Sequence, residues 1–197
     1  MMNLFCIPII SSWTLILIDT SSLHPSLALD AHDRPHISYQ FSTESNDYLK
    51  YTWWDGSNWH TYTVDSGVGT GRYTSIVVDR NGYPFISYNS EMGPGTLKVA
   101  QWTGSSWIIR TADASPYTGW FTSIELDTSD YPRVAYHDYM NDNLKYARWN
   151  GTSWINETVD APDWVGWYAS LDIDDSNRPH ISYHRYFYEV NGDLKKA

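Results

Sequence analysis

Four segments of the chain share one pattern and recur at an almost constant spacing. Each begins with serine, continues through mostly aliphatic residues and ends with aspartate. The segments are Ser26–Asp30, Ser75–Asp79, Ser123–Asp127 and Ser170–Asp174. Successive serines are 49, 48 and 47 residues apart. Self-similarity at a fixed period of this size means that one structural unit is repeated along the chain, so the fold must be an array of similar parts.

The remainder of each unit is also shared. A polar turn leads to a proline, an apolar stretch ends in tyrosine, and Leu-Lys follows a variable loop. Three units continue with Trp-x-Gly-x-x-Trp and reach an aspartate six residues later. These positions are Pro35, Pro84, Pro132 and Pro179; Tyr39, Tyr88, Tyr136 and Tyr183; Leu49, Leu97, Leu144 and Leu194; and Asp65, Asp113 and Asp160. Short aliphatic runs bounded by turn residues predict strands, and the Trp-x-Gly-x-x-Trp motif predicts a hairpin.

Four short antiparallel strands per unit, called A to D here, are typical of a β-propeller blade. The predicted fold class is therefore all-β: a β-propeller of about four four-stranded antiparallel blades. We place the blades at residues 26–65, 74–113, 122–160 and 170–197. A β-sandwich could hold the same strands but would not explain the fixed period. No window shows sustained helical periodicity, so we expect almost no helix.

The two ends of the sequence complement each other. Residues 1–25 form an N-terminal segment in which Trp13 and Asp19 have the strand-D spacing, so we predict a D-type strand over 13–19. The last unit stops within strand C. Either the first strand completes the last blade, or the chain belongs to a larger propeller formed with a second copy or further repeats. The apolar run Leu4–Ile18 has no preceding basic residue and is too short for a membrane span, so we expect neither a signal peptide nor membrane insertion.

Composition excludes several classes of function. The net charge is −10, which would repel nucleic acid. The single cysteine excludes a disulfide framework. The Asp-rich turns lack the glycine and distal glutamate of an EF-hand, so we expect no metal ion and no cofactor.

The repeated sequence motifs resemble those of a known group of proteins. Pro179–Tyr183, Leu144–Trp149 and Gly151–Trp154 are similar to the repeats of bacterial and archaeal surface propellers. Those propellers are in turn similar to the sialidase-like Asp-box superfamily and to the fucose-binding propeller lectins. The Asp-box itself is absent, and Asp55–Trp59 is only a partial echo of it. The resemblance implies a β-propeller that binds glycans or a protein surface on an extracellular or cell-surface protein.

The predicted ligand site lies on the face where the D–A and B–C loops emerge, because the sequences of these loops vary. The A–B and C–D turns are short and uniform, and we interpret them as structural. Aromatic rings beside amides and charges suit sugar binding. The recurring Trp, Tyr and Lys residues are interpreted as blade structure. The candidate ligand-binding residues are His137, Asp138, Tyr139, His184, Arg185, Tyr186, Tyr73, Trp120 and Trp167.

Three functions are compatible with this site. The first is a non-catalytic module that binds glycans. The second is a carbohydrate-active enzyme: a sialidase, which the non-recurring arginines disfavour, or a lyase using His137, His184 and Tyr183 with Arg185. The third is a purely structural surface repeat. Glu125 and Asp172, acidic residues in strand A, are interpreted as a solvated channel wall or as an acid–base pair.

Overall fold

The computed structural model describes residues 15–91, 93–161, 163–186 and 193–197, and the described part is all-β without a helix. It contains fifteen strands in four antiparallel sheets. The strands are β1 Ser22–Leu29, β2 Pro35–Ser42, β3 Asp47–Trp54, β4 Trp59–Ser66, β5 Arg72–Val78, β6 Pro84–Asn89, β7 Leu97–Trp102, β8 Trp107–Asp113, β9 Trp120–Leu126, β10 Pro132–Asp138, β11 Asn143–Trp149, β12 Trp154–Asp160, β13 Trp167–Ile173, β14 Pro179–Arg185 and β15 Asp193–Lys196. The predicted fold class is confirmed: these sheets are four propeller blades.

Within every blade the strands follow chain order, and the first strand of each blade lies next to the first strand of its neighbour. β1, β5, β9 and β13 pack side by side in that sequence. Blades 1 to 3 have four strands and blade 4 has three among the described residues. The four sheets do not close into a ring. None of the described residues forms a helix long and apolar enough to cross a membrane.

The hydrophobic core is divided into three clusters, one at each blade interface. The leucine that opens strand C illustrates why: Leu49, Leu97 and Leu144 are completely buried against the next blade, whereas the equivalent Leu194 is 83% exposed. Alternation along each strand sends one set of side chains to each neighbouring blade. Stability therefore comes from contacts between successive blades rather than from the interior of any single sheet.

The innermost strands are also joined by hydrogen bonds across each interface. The hydroxyl of the repeated serine in strand A accepts the backbone N–H of the next blade's strand A. The pairs are Ser26 with Ile76 at 3.2 Å, Ser75 with Ile124 at 3.2 Å and Ser123 with Leu171 at 3.0 Å. The serine that starts the sequence repeat thus links neighbouring blades at the propeller axis.

A second recurring contact lies further out and involves the repeated aspartate of strand D. It accepts hydrogen bonds from the repeated tyrosine and lysine of the following blade. We call this arrangement the clasp. Asp65 binds Tyr88 and Lys98, Asp113 binds Tyr136 and Lys145, and Asp160 binds Tyr183 and Lys195. The sequence interpretation of the repeated lysines as structural agrees with this geometry.

The N-terminal segment takes part in the same pattern. Trp13, and with it the start of the predicted strand 13–19, lies outside the described residues. Residues 15–19 are described and are not in a strand, but Asp19 accepts a hydrogen bond of 2.9 Å from Tyr39. That is the contact a strand-D aspartate makes to the next blade. Asp19 therefore occupies the position of a strand-D aspartate preceding blade 1, and whether residues 13–19 complete the last blade stays a prediction.

Candidate functional site

The D–A and B–C loops emerge at one end of the blades, called the loop face here. Strand A begins there with a bulge in each blade. One residue of each bulge has a left-handed backbone: His24, Tyr73, Phe121 and Tyr168, with φ between 50° and 54°. Such a backbone costs a bulky residue about 1–3 kcal/mol, so surrounding packing must hold it. The packing is visible, because successive rings of these four lie 4.5 Å apart between centroids.

Two stacks of three rings extend from this row. Trp120 lies between Tyr73 and Tyr139, at centroid distances of 5.1 and 4.5 Å. Trp167 lies between Phe121 and Tyr186, at 5.3 and 5.9 Å. Trp120 and Trp167 are each only partly exposed and pack against these rings, so they take part in the packing between blades.

His137, one of the two predicted histidines, also has a structural role. His137 is completely buried, and its Nδ1 lies 2.9 Å from the carbonyl oxygen of Val165. Burial lowers the pKa of His137 to about 4, so the ring is neutral at pH 7. At the equivalent position of blade 2, Asn89 donates to the carbonyl of Thr118 at 2.7 Å. His137 therefore anchors the D–A loop, as Asn89 does.

The other predicted residues divide between loop support and exposed surface. Asp138 is buried and accepts hydrogen bonds from the backbone and side chain of Asn141. Arg185 pairs with Asp163 at 2.6 Å. Tyr139 and Tyr186 are each 44% exposed. The structure brings the predicted residues together on the loop face, but that this face binds a ligand stays a prediction.

The opposite end of the blades, called the turn face, contains concave pockets that the sequence interpretation treated as scaffold. The first inter-blade pocket lies between blades 1 and 2 and has a volume of about 230 Å³. Aromatic side chains from both blades form its wall, with Arg34 and His36 at one side. The aromatic members are Tyr51, Trp53, Tyr62, Tyr83, Trp102 and Trp107.

The local cause of this pocket is the Trp-x-Gly-x-x-Trp hairpin. Its glycine has a positive φ, as at Gly104 with 91°, and the tight turn holds the two tryptophans of the motif side by side. Trp102 and Trp107 have centroids 5.5 Å apart. From blade 1, Tyr51 meets Trp107 edge-on at 5.3 Å and Tyr62 lies 5.9 Å from Trp102. The hairpin thereby forms one wall of the pocket and the preceding blade the other.

The first inter-blade pocket carries little net charge. Arg34 donates from Nε and from a terminal nitrogen to Asp30, at 2.7 Å each. Burial opposes ionisation of Asp30, but Arg34 and the backbone N–H of His32 hold its pKa well below the ordinary range. Burial lowers the pKa of His36, whose Nδ1 lies 2.6 Å from the Tyr51 hydroxyl oxygen. The pocket is consequently lined by aromatic rings and by Arg34, whose charge is balanced by Asp30.

A second inter-blade pocket lies at the equivalent place between blades 2 and 3, with a volume of about 130 Å³. Trp149 and Trp154 replace Trp102 and Trp107. Arg110 stands where the first pocket has Tyr62, and its guanidinium lies 5.1 Å from the centroid of Trp149. The sequence signal for both pockets was present in the hairpin motif, but recurrence alone led to a packing interpretation.

The acidic residues of strand A do not form a metal site. Burial, followed by the nearby charge of Asp172, raises the pKa of Glu125. Among the described residues no group of three or more His, Cys, Asp or Glu side chains could hold a metal ion.

Comparison with known proteins supports the fold. No protein-family model matches the chain, and no curated protein matches it. A lectin from Aleuria aurantia in complex with Fucα1-6GlcNAc matches with a TM-score of 0.55 and 12% identity, over 90% of this chain and 75% of the lectin. The same lectin with α-methyl-L-fucoside gives 0.58 and 16%, over 88% and 56%. A xylan β-1,4-xylosidase from Bacillus halodurans gives 0.57 and 10%, over 89% of this chain and 41% of the enzyme.

Proposed function

We propose that this protein is a non-catalytic carbohydrate-binding module and that the first inter-blade pocket receives one sugar residue. The observation that carries the proposal is the enclosure of this pocket by aromatic rings from two blades. A sugar ring has apolar C–H faces that pack on aromatic rings and a rim of hydroxyls that need polar partners. Tyr62 and Tyr83 supply both a ring and a hydroxyl at the pocket wall.

Size and charge define the kind of ligand. Pockets for drug-sized ligands have volumes of about 300–1,000 Å³, so about 230 Å³ suits a single ring rather than a chain. Arg34 is already paired with Asp30, and a cation that is compensated in this way gives no preference for an acidic sugar. We therefore expect a neutral monosaccharide or the neutral end of a glycan. The fucosides bound to the lectin that shares this fold agree with that ligand class.

The location expected from the resemblance to surface propellers belongs to the same proposal. A protein that binds extracellular glycans must itself be secreted or exposed at the cell surface. Fractionation of the producing cells, with detection of this chain in the medium or at the surface, checks this part independently of binding.

Two substitutions of equal chemistry test where the ligand binds. Tyr62 on the turn face and Tyr139 on the loop face are 43% and 44% exposed, so replacing either with serine removes a comparable half-exposed ring. Calorimetric titration with a panel of neutral monosaccharides, fucose included, would measure affinity. We expect Tyr62→Ser to weaken binding about fivefold to tenfold, and Tyr139→Ser to leave it unchanged.

Loss of binding in Tyr139→Ser alone would move the site to the loop face. The absence of binding by any sugar in the panel would refute the proposed function. Release of reducing sugar, or absorbance of an unsaturated product, in the same samples would show catalysis and favour the enzyme alternative.

A further inference from the structure

The two inter-blade pockets differ at several repeated positions, and one of these changes in charge. The third residue after the second tryptophan of the hairpin motif is Tyr62 in blade 1, Arg110 in blade 2 and Glu157 in blade 3. The tryptophan pair of the hairpin is retained between the two pockets, although Gln101 in the second pocket stands where the first has Trp53. The residue three positions after the hairpin changes in charge. A position that varies inside a repeated frame can give otherwise similar pockets different ligands.

Arg110 is held in place without a carboxylate. Its guanidinium lies over Trp149 at 5.1 Å, and one terminal nitrogen donates to the side-chain oxygen of Gln101 at 3.1 Å. Both contacts orient the group, and neither neutralises it. In the part of the chain that the structure describes, no carboxylate oxygen lies within 4.0 Å of an Arg110 nitrogen.

One carboxylate does line the same pocket, but it is engaged elsewhere. Asp130 pairs with Arg80, with 2.7 Å between the Arg80 Nε and a carboxylate oxygen. Arg34 in the first pocket shows the alternative arrangement, since its guanidinium is tied to Asp30 through two nitrogens. Arg110 therefore differs from Arg34 in retaining most of its five N–H donors for a ligand.

We propose that the second inter-blade pocket binds the anionic group of an acidic sugar, with Arg110 as the residue that contacts it. The group is a carboxylate, as in a uronic acid, or a sulfate ester. Both match the planar fork of donors that a guanidinium presents. This inference rests on the proposed carbohydrate function and adds a second ligand class to it.

The dimensions of the pocket agree with this assignment. Its volume of about 130 Å³ is smaller than the roughly 230 Å³ of the first pocket and suits a carboxylate or sulfate better than a whole ring. Gln101 and Tyr131 offer further polar atoms at its wall. The net charge of −10 opposes approach of an extended polyanion, but at 0.15 M salt charges beyond about 8 Å are largely screened.

Matched ligand pairs isolate the anionic group. Glucuronic acid against glucose tests the carboxylate, and N-acetylglucosamine 6-sulfate against N-acetylglucosamine tests the sulfate ester. Calorimetric titrations would compare the unaltered chain with Arg110→Gln and Arg110→Tyr, the second of which copies the residue of the first pocket. Urea unfolding would confirm that each variant is folded.

We expect at least one acidic sugar to bind about tenfold more tightly than its neutral partner, and both Arg110 variants to abolish that preference. Affinity for neutral sugars should remain, since it belongs to the first pocket. Equal affinity within both pairs, or a preference that survives in Arg110→Gln, would overturn this inference and leave the proposed function standing. No binding by any of the four sugars would also overturn this inference, whereas the proposed function is refuted only if the wider panel of neutral sugars, fucose included, fails to bind as well.

Discussion

The clasp at Asp113 should be the most stability-determining ion pair between blades. The side chains of Asp113 and Lys145 are only 5% and 13% exposed, and the Tyr136 hydroxyl donates to the same carboxylate at 2.7 Å. Replacing Asp113 with asparagine keeps the shape and an acceptor for Tyr136 but leaves Lys145 without its counter-charge. Removing one partner of a buried pair costs about 3–5 kcal/mol. Because Tyr136 keeps an acceptor, we expect the free energy of unfolding to fall by an amount at the lower end of this range, about 3 kcal/mol.

The equivalent clasp of the next interface provides the control. Asp160 and Lys195 are 25% and 33% exposed and lie 3.0 Å apart. Solvent screens this pair, so Asp160→Asn should cost about 1 kcal/mol. For a chain of this length the difference of about 2 kcal/mol corresponds to about 4–8 °C in melting temperature.

Urea unfolding followed by tryptophan fluorescence measures both variants, because the chain has 11 tryptophans. Equal losses in Asp113→Asn and Asp160→Asn would mean that burial does not determine the strength of the clasp, and the reasoning would be wrong.

Two further predictions concern packing and protonation. Leu144→Ala, at a completely buried position, should lower the free energy of unfolding by about 2–5 kcal/mol, whereas Leu194→Ala, at an exposed one, should change it by less than about 0.5 kcal/mol; thermal melts distinguish them. His137 has a pKa lowered by burial to about 4, so the unfolded chain binds its proton more tightly and stability should fall as pH drops from 6.5 towards 4. His137→Gln, which copies Gln40 of blade 1, should reduce that slope in urea titrations, and an unchanged slope would contradict the assignment.

The repeat carried most of the information about the fold. Strand boundaries follow from residues with local conformational effects: the proline that opens strand B, the glycine of the hairpin and the aspartates of the turns. Their physical consequences are confined to a few neighbouring residues, so a single sequence suffices to predict them. How the blades are joined was less accessible, because the Ser26–Ile76 hydrogen bond and the clasps connect residues from different units.

The site was harder to predict for a related reason. Trp120 and Trp167 are aromatic residues of the kind that can bind a sugar ring, and only their contacts with Tyr73, Tyr139 and Tyr186 show that they take part in packing. Conversely, the hairpin tryptophans were interpreted as packing residues because they recur. In the structure those of blades 2 and 3 also line the inter-blade pockets. Exposure and concavity depend on which chain segments meet, and the sequence pattern of one unit contains no direct record of that.

The clasp has a consequence for how such a chain can lengthen. Each of blades 1 to 3 supplies an aspartate to its successor, and each of blades 2 to 4 supplies a tyrosine and a lysine to its predecessor. A copied unit inserted between Asp113 and Trp120 would meet Tyr136 and Lys145 with its own aspartate, and Asp113 with its own tyrosine and lysine. Both new junctions would then be the same as the old ones. Gene duplication could therefore add a blade without a single compensating substitution, since the connecting chemistry is inherited whole with the duplicated unit.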